Sequence, residues 1–302
     1  MKQKALILNS PETTPDSGPD DSNLEANLGI EIRGIGIPPR PSILDKIDRE
    51  MGSDAPNFRA LGDVISSDVG IAASLLKIAN SPFYGFNRKV RSVQEALIVL
   101  GINIIAHTVA GLSLKKQFEH IPNMERFWDA SACTARVSGW LAQQLTSAYR
   151  VRPEEAYTFG LFRDVGMPIL MVPFSNYPEI LKQANQEEIR PFTEVEDDLI
   201  GMDHAMVGAA MAKEWLFPQE LILAIKSHHD VNALTDVSAI PQISRRFIAV
   251  AQIAEYLIQR RTGMNSTHEW RKLGAACLET LGITEEGLEG LYENCHAAVA
   301  GD

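Results

Sequence analysis

Hydrophobic residues recur every three or four positions along most of the chain, the spacing that places them on one face of an α-helix. Ile71, Leu75 and Ile78 show this spacing clearly. Alternating β-branched residues would predict strands, and no such run occurs after residue 8. Residues 4–8 are the one weak strand candidate. The pattern therefore predicts an all-α fold.

Capping residues and prolines indicate where individual helices begin and end. Ser42 is expected to cap the first helix, over 42–52, and Ser92-Val93-Gln94-Glu95 is a capping box that begins a later one. Pro153 suits the first turn of a helix that is expected to end at Gly166. Further helices are expected near 57–66, 69–79, 125–146, 204–215, 218–228 and 242–261, and two more near 268–298.

The composition changes along the chain and suggests how it is divided. Residues 9–29 contain three prolines and five acidic residues but no aromatic residue, so they cannot bury enough apolar surface to offset the entropy of ordering. We expect two helical subdomains joined near residue 120. The expected divisions are a mobile N-terminal segment and linker (1–36), a first helical subdomain (37–120), a second (121–235) and C-terminal helices that pack on it (236–302).

Charge and cysteine content exclude several classes of protein. The 28 basic and 39 acidic residues give a net charge of −11, which disfavours binding to nucleic acid. No apolar run approaches the roughly 18 residues that a membrane-spanning helix needs. Cys133, Cys277 and Cys295 are scattered and form no CxxC pair, which indicates neither a zinc ribbon nor a disulfide framework. We expect a cytoplasmic protein that binds neither nucleic acid nor membrane.

The candidate chemistry lies in three places. His228-His229-Asp230 ends one predicted helix, Arg163-Asp164 follows an apolar helix, and His204 begins another helix between them. The other four histidines have no partner motif. Neither a GxSxG nucleophile elbow nor a GxxxxGK[ST] phosphate loop occurs.

The order of several short motifs resembles the HDOD family, whose name marks an HD-related output domain of bacterial signalling proteins. Each motif alone is weak, but six in order are specific, and they cover roughly residues 37–232. The motifs are Leu75-Leu76-Lys77-Ile78-Ala79-Asn80-Ser81-Pro82-Phe83-Tyr84-Gly85, the segment from Ser92 to Gly101, the segment from Gly160 to Gly166, His204-Ala205-Met206-Val207-Gly208, Trp215-Leu216-Phe217-Pro218 and the segment from Ala224 to His229. The resemblance implies that the second subdomain has an HD-type helical core.

The departures from the parent HD phosphohydrolases indicate a degenerate metal site. Those enzymes hold metal with a histidine on one helix, a His-Asp doublet on another and a late aspartate. Here the 125–146 helix has no histidine, and Ala130 or Ser131 occupies the expected place. Arg163 replaces the doublet histidine, and a guanidinium has no lone pair with which to bind a metal. Gln252 is the best match for the late aspartate, so we expect no catalytic residues and no bound metal.

Two interpretations of the remaining polar residues stay open. In the related HD-GYP phosphodiesterases, histidines of this kind bind an extra metal. The resemblance therefore allows a vestigial site for a divalent ion such as zinc, manganese or iron, built from Asp164, His204, His228 and His229. The structural interpretation is favoured, because His228 shares an apolar face with Leu221 and Ile225, and a histidine there is more often a hydrogen-bonded core residue.

The resemblance implies a non-catalytic signal-transduction or adaptor protein that acts through protein–protein interaction, with other signalling proteins as partners. The alternative is a metal-dependent phosphohydrolase with an altered metal site. Metal content distinguishes the two, since only the second requires a transition metal bound to each chain.

Overall fold

The computed structural model describes residues 35–54, 56–80, 88–122, 124–145, 147–264 and 267–300. The predicted mobile segment over 9–29, the candidate strand over 4–8 and the turn after Asn80 lie outside these ranges. Helices make up most of the described chain and strands are absent from it, which confirms the all-α prediction.

The first part of the chain forms short helices joined by tight turns. They are α1 (Ser42–Met51), α2 (Phe58–Ser66), α3 (Val69–Ala79), α4 (Val93–Leu100) and α5 (Ile102–Gln117). One half of the capping box at Ser92 is present, because Ser92 Oγ accepts a hydrogen bond from the backbone N–H of Glu95 at 3.1 Å. The Glu95 carboxylate reaches the backbone N–H of Arg91 at 2.8 Å, rather than that of Ser92.

The second part begins with a long helix and contains the elements that position the candidate site. The helices are α6 (Glu125–Gln144), α7 (Pro153–Phe162), α8 (Gly166–Leu170), α9 (Tyr177–Gln186), α10 (Phe192–Ile200), α11 (His204–Glu214), α12 (Gln219–Ser227), α13 (Val231–Thr235), α14 (Gln242–Thr262), α15 (Glu269–Leu281), α16 (Glu285–Asn294) and α17 (His296–Ala300), with a 3-10 turn at Ser147–Tyr149. No helix of the described ranges has the length and apolar character needed to cross a bilayer.

Two predicted boundaries were wrong. Pro41 is the N-cap of α1, in an extended conformation, and Ser42 is the first helical residue without a side-chain cap. The helix that begins at Pro153 ends at Phe162, and Gly166 instead begins α8. A contact distant in sequence explains the glycine at this position: a Cβ atom on Gly166 would lie 1.9 Å from the carbonyl oxygen of His204, so only glycine allows α8 to approach α11 this closely.

One continuous cluster of buried apolar side chains runs through both predicted subdomains. Ile47 and Leu75 contribute to it from the N-terminal helices, and Phe159, Trp215 and Leu257 from later ones, each no more than 1% exposed. Within it α6 packs on α7, α14 on α15, and α11 on both α8 and α12. This packing brings the α7–α8 turn, the start of α11 and the end of α12 to one place.

Candidate functional site

Three imidazole rings meet at the centre of the second part of the molecule. His204 begins α11, and His228 and His229 follow the last residue of α12. The Nε2 atom of His204 lies 3.3 Å from Nε2 of His228 and 3.2 Å from Nε2 of His229. All three side chains are buried. Phe192 of α10 stacks on the His229 ring and contacts the edge of His204, so an aromatic face closes one side.

A carboxylate completes the group. Oδ1 of Asp164, in the α7–α8 turn, lies 3.2 Å from Nε2 of His228 and 3.6 Å from Nε2 of His204. One ligand atom from each of the four residues lies within 4.8 Å of the others. The structure thus brings together the four residues that the sequence analysis named as vestigial candidates. We call Asp164, His204, His228 and His229 the His3Asp cluster.

The outer nitrogen of each ring has its own acceptor. Nδ1 of His204 donates to Glu196 Oε2 at 2.6 Å, Nδ1 of His229 donates to Glu269 Oε2 at 2.6 Å, and Nδ1 of His228 donates to a backbone carbonyl one turn earlier at 2.7 Å. Because these partners can only accept, the Nδ1 atoms carry the protons. The Nε2 lone pairs of neutral rings therefore point at one another.

The two supporting glutamates are themselves held in place. The hydroxyl of Tyr177 and the backbone N–H of His204 both donate to Glu196. Lys272 donates to Glu269 Oε1 at 2.7 Å. Interactions of this kind fix the tautomer and orientation of a metal-binding imidazole.

The sequence did not single out Glu196, which lies in a stretch over 187–203 that contains seven acidic residues. Glu196 is fully buried. It lies on the same face of α10 as Phe192 and Val195, at i, i+3 and i+4 spacing, and both of those are buried. An acid on the apolar face of a short helix was the available indication of this role.

The electrostatics of the cluster are strongly coupled. Burial opposes the charged form of His204, but Glu196 and Asp164 outweigh it and raise the pKa to about 10. Burial and the neighbouring His228 lower the pKa of His229 to about 4. Burial works to raise the pKa of Asp164, yet Arg163 and the hydrogen bonds with two histidines hold it well below its usual range. The site therefore favours positive charge at its centre and a carboxylate at its edge.

Arg163 occupies the other side of Asp164. Its Nε donates to Asp164 Oδ2 at 3.1 Å and its guanidinium pairs with Glu255 Oε2 at 3.0 Å. Glu255 of α14 was not singled out from the sequence, which pointed to Gln252 one turn earlier. Gln252 is buried and donates to Glu255 at 3.4 Å. The acidic side chain that α14 brings to Arg163 is therefore that of Glu255, not one at position 252.

A cleft of about 450 Å³ opens beside the cluster. Ala130 and Ser131, the positions where the HD histidine was expected, line it on α6 together with Arg163 and Asp164. His229 reaches the same cleft, while His204 and His228 lie behind it. The expected ligand position on α6 therefore faces the site but offers no imidazole.

Comparisons with known proteins agree with this architecture. The model of the HDOD domain family matches residues 37–231. An uncharacterized protein of Treponema pallidum (strain Nichols) is 26% identical over 202 residues, 65% of this chain and 38% of that protein. The uncharacterized protein YuxH of Bacillus subtilis (strain 168) is 30% identical over 66 residues, 22% of this chain and 16% of YuxH. The chain thus matches well under half the length of these relatives.

Solved structures show the same fold. An HDOD domain protein of unknown function from Geobacter sulfurreducens has a TM-score of 0.66 and 21% identity, and the match covers 93% of this chain and 96% of that one. A candidate signal transduction protein from Marinobacter aquaeolei VT8 gives 0.66 and 20%, over 93% and 65%. A candidate phosphohydrolase from Shewanella amazonensis SB2B gives 0.63 and 20%, over 91% and 96%.

Proposed function

The chain belongs to the HDOD family, and from that membership we propose that it is a cytoplasmic signal-transduction protein that binds other signalling proteins and does not hydrolyse phosphate esters. The family match supports the signalling role. The Marinobacter aquaeolei protein of the same fold is named a candidate signal transduction protein, which fits the proposal.

The observation that carries the non-catalytic part is the placement of Arg163. Its guanidinium pairs with Oδ2 of Asp164 and with Glu255, on the side of Asp164 that faces away from the histidines. A guanidinium has no lone pair for a metal, and it pairs with one oxygen of each carboxylate. A metal ion on this side of Asp164 would meet the positive charge of Arg163 at the place where the HD pattern has a histidine ligand.

The missing imidazole on α6 supports the same proposal. Hydrolysis of a phosphate ester by a metal needs an ion with an open position, where it lowers the pKa of a bound water. Ala130 and Ser131 hold the place on the cleft wall where the HD pattern has a histidine. Ser131 Oγ donates to the carbonyl of Phe127 at 2.9 Å, so its hydroxyl is already engaged within α6.

A second candidate function is a metal-dependent phosphohydrolase with an altered site. The observation in its favour is that the cleft reaches Asp164 and His229, so a small substrate could approach the cluster. The Shewanella amazonensis SB2B structure of the same fold is named a candidate phosphohydrolase. This alternative requires a coordination position that remains open to water.

An activity assay separates the two. Purified protein is supplied with manganese, zinc or ferrous iron and assayed against cyclic dinucleotides, nucleotides and a generic phosphodiester. We expect turnover equal to that of Asp164→Ala and His228→Ala variants, because none of the three proteins forms a reactive metal-bound water. Metal-dependent turnover that is lost in both variants would contradict the non-catalytic proposal.

The proposed binding to signalling proteins is tested by a pull-down from the source bacterium with mass spectrometry, which should return a signalling protein.

A further inference from the structure

We propose that the His3Asp cluster binds one divalent, zinc-like metal ion whose four coordination positions are all filled by protein side chains. The inference goes beyond the proposed function, since it concerns what holds the core together. It also departs from the sequence-based expectation that no metal is bound.

The ring nitrogens of the cluster face one another. With each Nδ1 proton committed to an acceptor, Nε2 of His204 lies 3.3 Å from Nε2 of His228 and 3.2 Å from Nε2 of His229, and Asp164 Oδ1 lies 3.2 Å from Nε2 of His228. Among the hydrogen bonds of the described residues, none brings an N–H or O–H from another residue to these atoms. Buried acceptors that face one another are unfavourable unless a cation lies between them.

The distances between the ligand atoms of the cluster resemble those of a zinc site. Zinc binds imidazole nitrogen and carboxylate oxygen at roughly 2.0–2.2 Å, so two ligand atoms of a tetrahedral site lie roughly 3.3–3.5 Å apart. Four of the six pairs of ligand atoms in the cluster are separated by 3.2, 3.3, 3.2 and 3.6 Å, and all six pairs lie within 4.8 Å. Four of the six spacings are therefore close to those of such a site before any ion is bound.

The buried charges at the cluster are unequal. Asp164 of the cluster and the neighbouring Glu196, Glu255 and Glu269 supply four carboxylates. Two cations, Arg163 and Lys272, pair with members of this set. With neutral histidines, the set carries two more negative than positive charges in a largely buried region. Burying unpaired charge is costly, and one divalent cation would remove this imbalance.

The two oxygens of Asp164 have different partners. Oδ2 accepts from Arg163, and Oδ1 faces the histidines. The guanidinium therefore orients the carboxylate, and the carboxylate would separate the guanidinium from the bound metal ion. Structural zinc sites have four protein ligands, whereas catalytic ones keep a position for water. The ion would thus join the α7–α8 turn, α11 and α12 directly, and α10 and α15 through the two supporting glutamates.

The competing occupant is a proton. A protonated His204 between Glu196 and Asp164 would donate from Nε2 and supply one positive charge. A single N–H serves chiefly one acceptor, so the other Nε2 lone pairs would stay unsatisfied. The two occupants make different predictions for metal content.

The test uses the full chain, purified without a histidine tag. Elemental analysis is expected to find one transition metal ion per chain, and chelated protein should take up one Co²⁺ with the intense visible absorption of tetrahedral cobalt. His204→Gln and His228→Gln should lose this absorption, and Glu269→Gln should weaken metal affinity by roughly 10–100-fold. His120→Ala, which removes an exposed histidine outside the cluster, is the matched control and should bind one ion.

Several results would overturn the proposal. Folded, metal-free protein that binds no Co²⁺ would favour the proton. The weak spectrum of six-coordinate cobalt would contradict a closed site, and so would unchanged binding by His204→Gln. If the glutamine variants fail to fold, the wild-type protein still provides a test, because its Tm should rise with Zn²⁺ but not with Mg²⁺. Turnover is not a readout here, so this experiment and the activity assay fail independently.

Discussion

Arg163 and Asp164 show how one substitution changes the chemistry of a site. In the HD pattern two adjacent residues both serve a metal, whereas here the first is a cation and only the second retains a ligand atom. The guanidinium pairs with one carboxylate oxygen and leaves the other directed at the imidazoles of His228 and His204. The residue pair therefore separates a cationic half of the site from a half that is suited to bind a metal.

Restoring histidine at position 163 should not restore hydrolysis. Arg163→His leaves α6 without an imidazole, and it removes the cation that pairs with Glu255. We expect no turnover and a loss of about 3 kcal/mol in the free energy of unfolding, as for other buried pairs that lose one partner. Urea denaturation and the phosphodiester assay measure the two effects. Phosphodiesterase activity in this variant would contradict the account of the degenerate site.

Gly166 is the residue that permits the α8–α11 contact. In Gly166→Ala the added methyl group would meet the His204 carbonyl at 1.9 Å, so α8 must move away and carry Asp164 with it. We expect a loss of about 2–3 kcal/mol, as for overpacked cores, together with weaker metal binding. Gly290→Ala is the matched control, because nothing lies within 4 Å of its added Cβ. Equal stability of Gly166→Ala and wild type in chemical denaturation would contradict the close approach.

At the scale of elements, the C-terminus of α11 fastens the first part of the chain to the second. The indole N–H of Trp215 donates to the carbonyl of Pro38 at 3.0 Å, and its own carbonyl accepts from Arg40 Nε at 2.9 Å. Trp215 is also 1% exposed. A single residue thus combines core packing with two hydrogen bonds to the segment before α1.

Replacing this anchor should be costly. Trp215→Ala removes a large buried ring and should cost about 3–5 kcal/mol. Trp215→Phe keeps most of the volume but leaves the Pro38 carbonyl without its donor, so about 1–2 kcal/mol is expected. Urea denaturation of both variants checks the order. A loss below about 1 kcal/mol for Trp215→Ala would mean that the indole is not a core residue.

The residue after Trp215 offers a stabilising change. Leu216 has φ of 60° and is 72% exposed, a backbone conformation in which glycine is usual at a helix end. Leu216→Gly should raise the free energy of unfolding by about 0.5–1 kcal/mol, since it relieves this strain at the cost of chain entropy. Leu216→Ala keeps the strain and should show no gain. A thermal melt in which both variants behave alike would contradict this reasoning.

Helices with local caps could be predicted from the sequence, and the site could be predicted only in part. Asp203 caps α11 by accepting from the backbone N–H of Met206, and such a cap depends only on neighbours within three residues. The break at Gly166 and the burial of Glu196 could not be placed in the same way. Both depend on contacts with α11. This helix lies far along the chain from Gly166, and a turn separates it from Glu196. The roles of Glu255 and Glu269 likewise arise only when α14 and α15 pack beside the cluster.

At the scale of the whole molecule, the cluster lies where five segments meet. The α7–α8 turn, α11 and the end of α12 supply its members, and α10 and α15 supply the supporting carboxylates. An ion at this point would stabilise the packing of the second part of the chain.

X-ray absorption at the zinc edge of metal-loaded protein tests this claim most directly. The account predicts four nitrogen or oxygen neighbours at roughly 2.0–2.2 Å, three of them imidazoles, and no bound water. The spectrum should not change when phosphate is added, because no position is open to it. A fifth or sixth neighbour, or a spectrum that changes with phosphate, would show an open catalytic type of site and contradict the account.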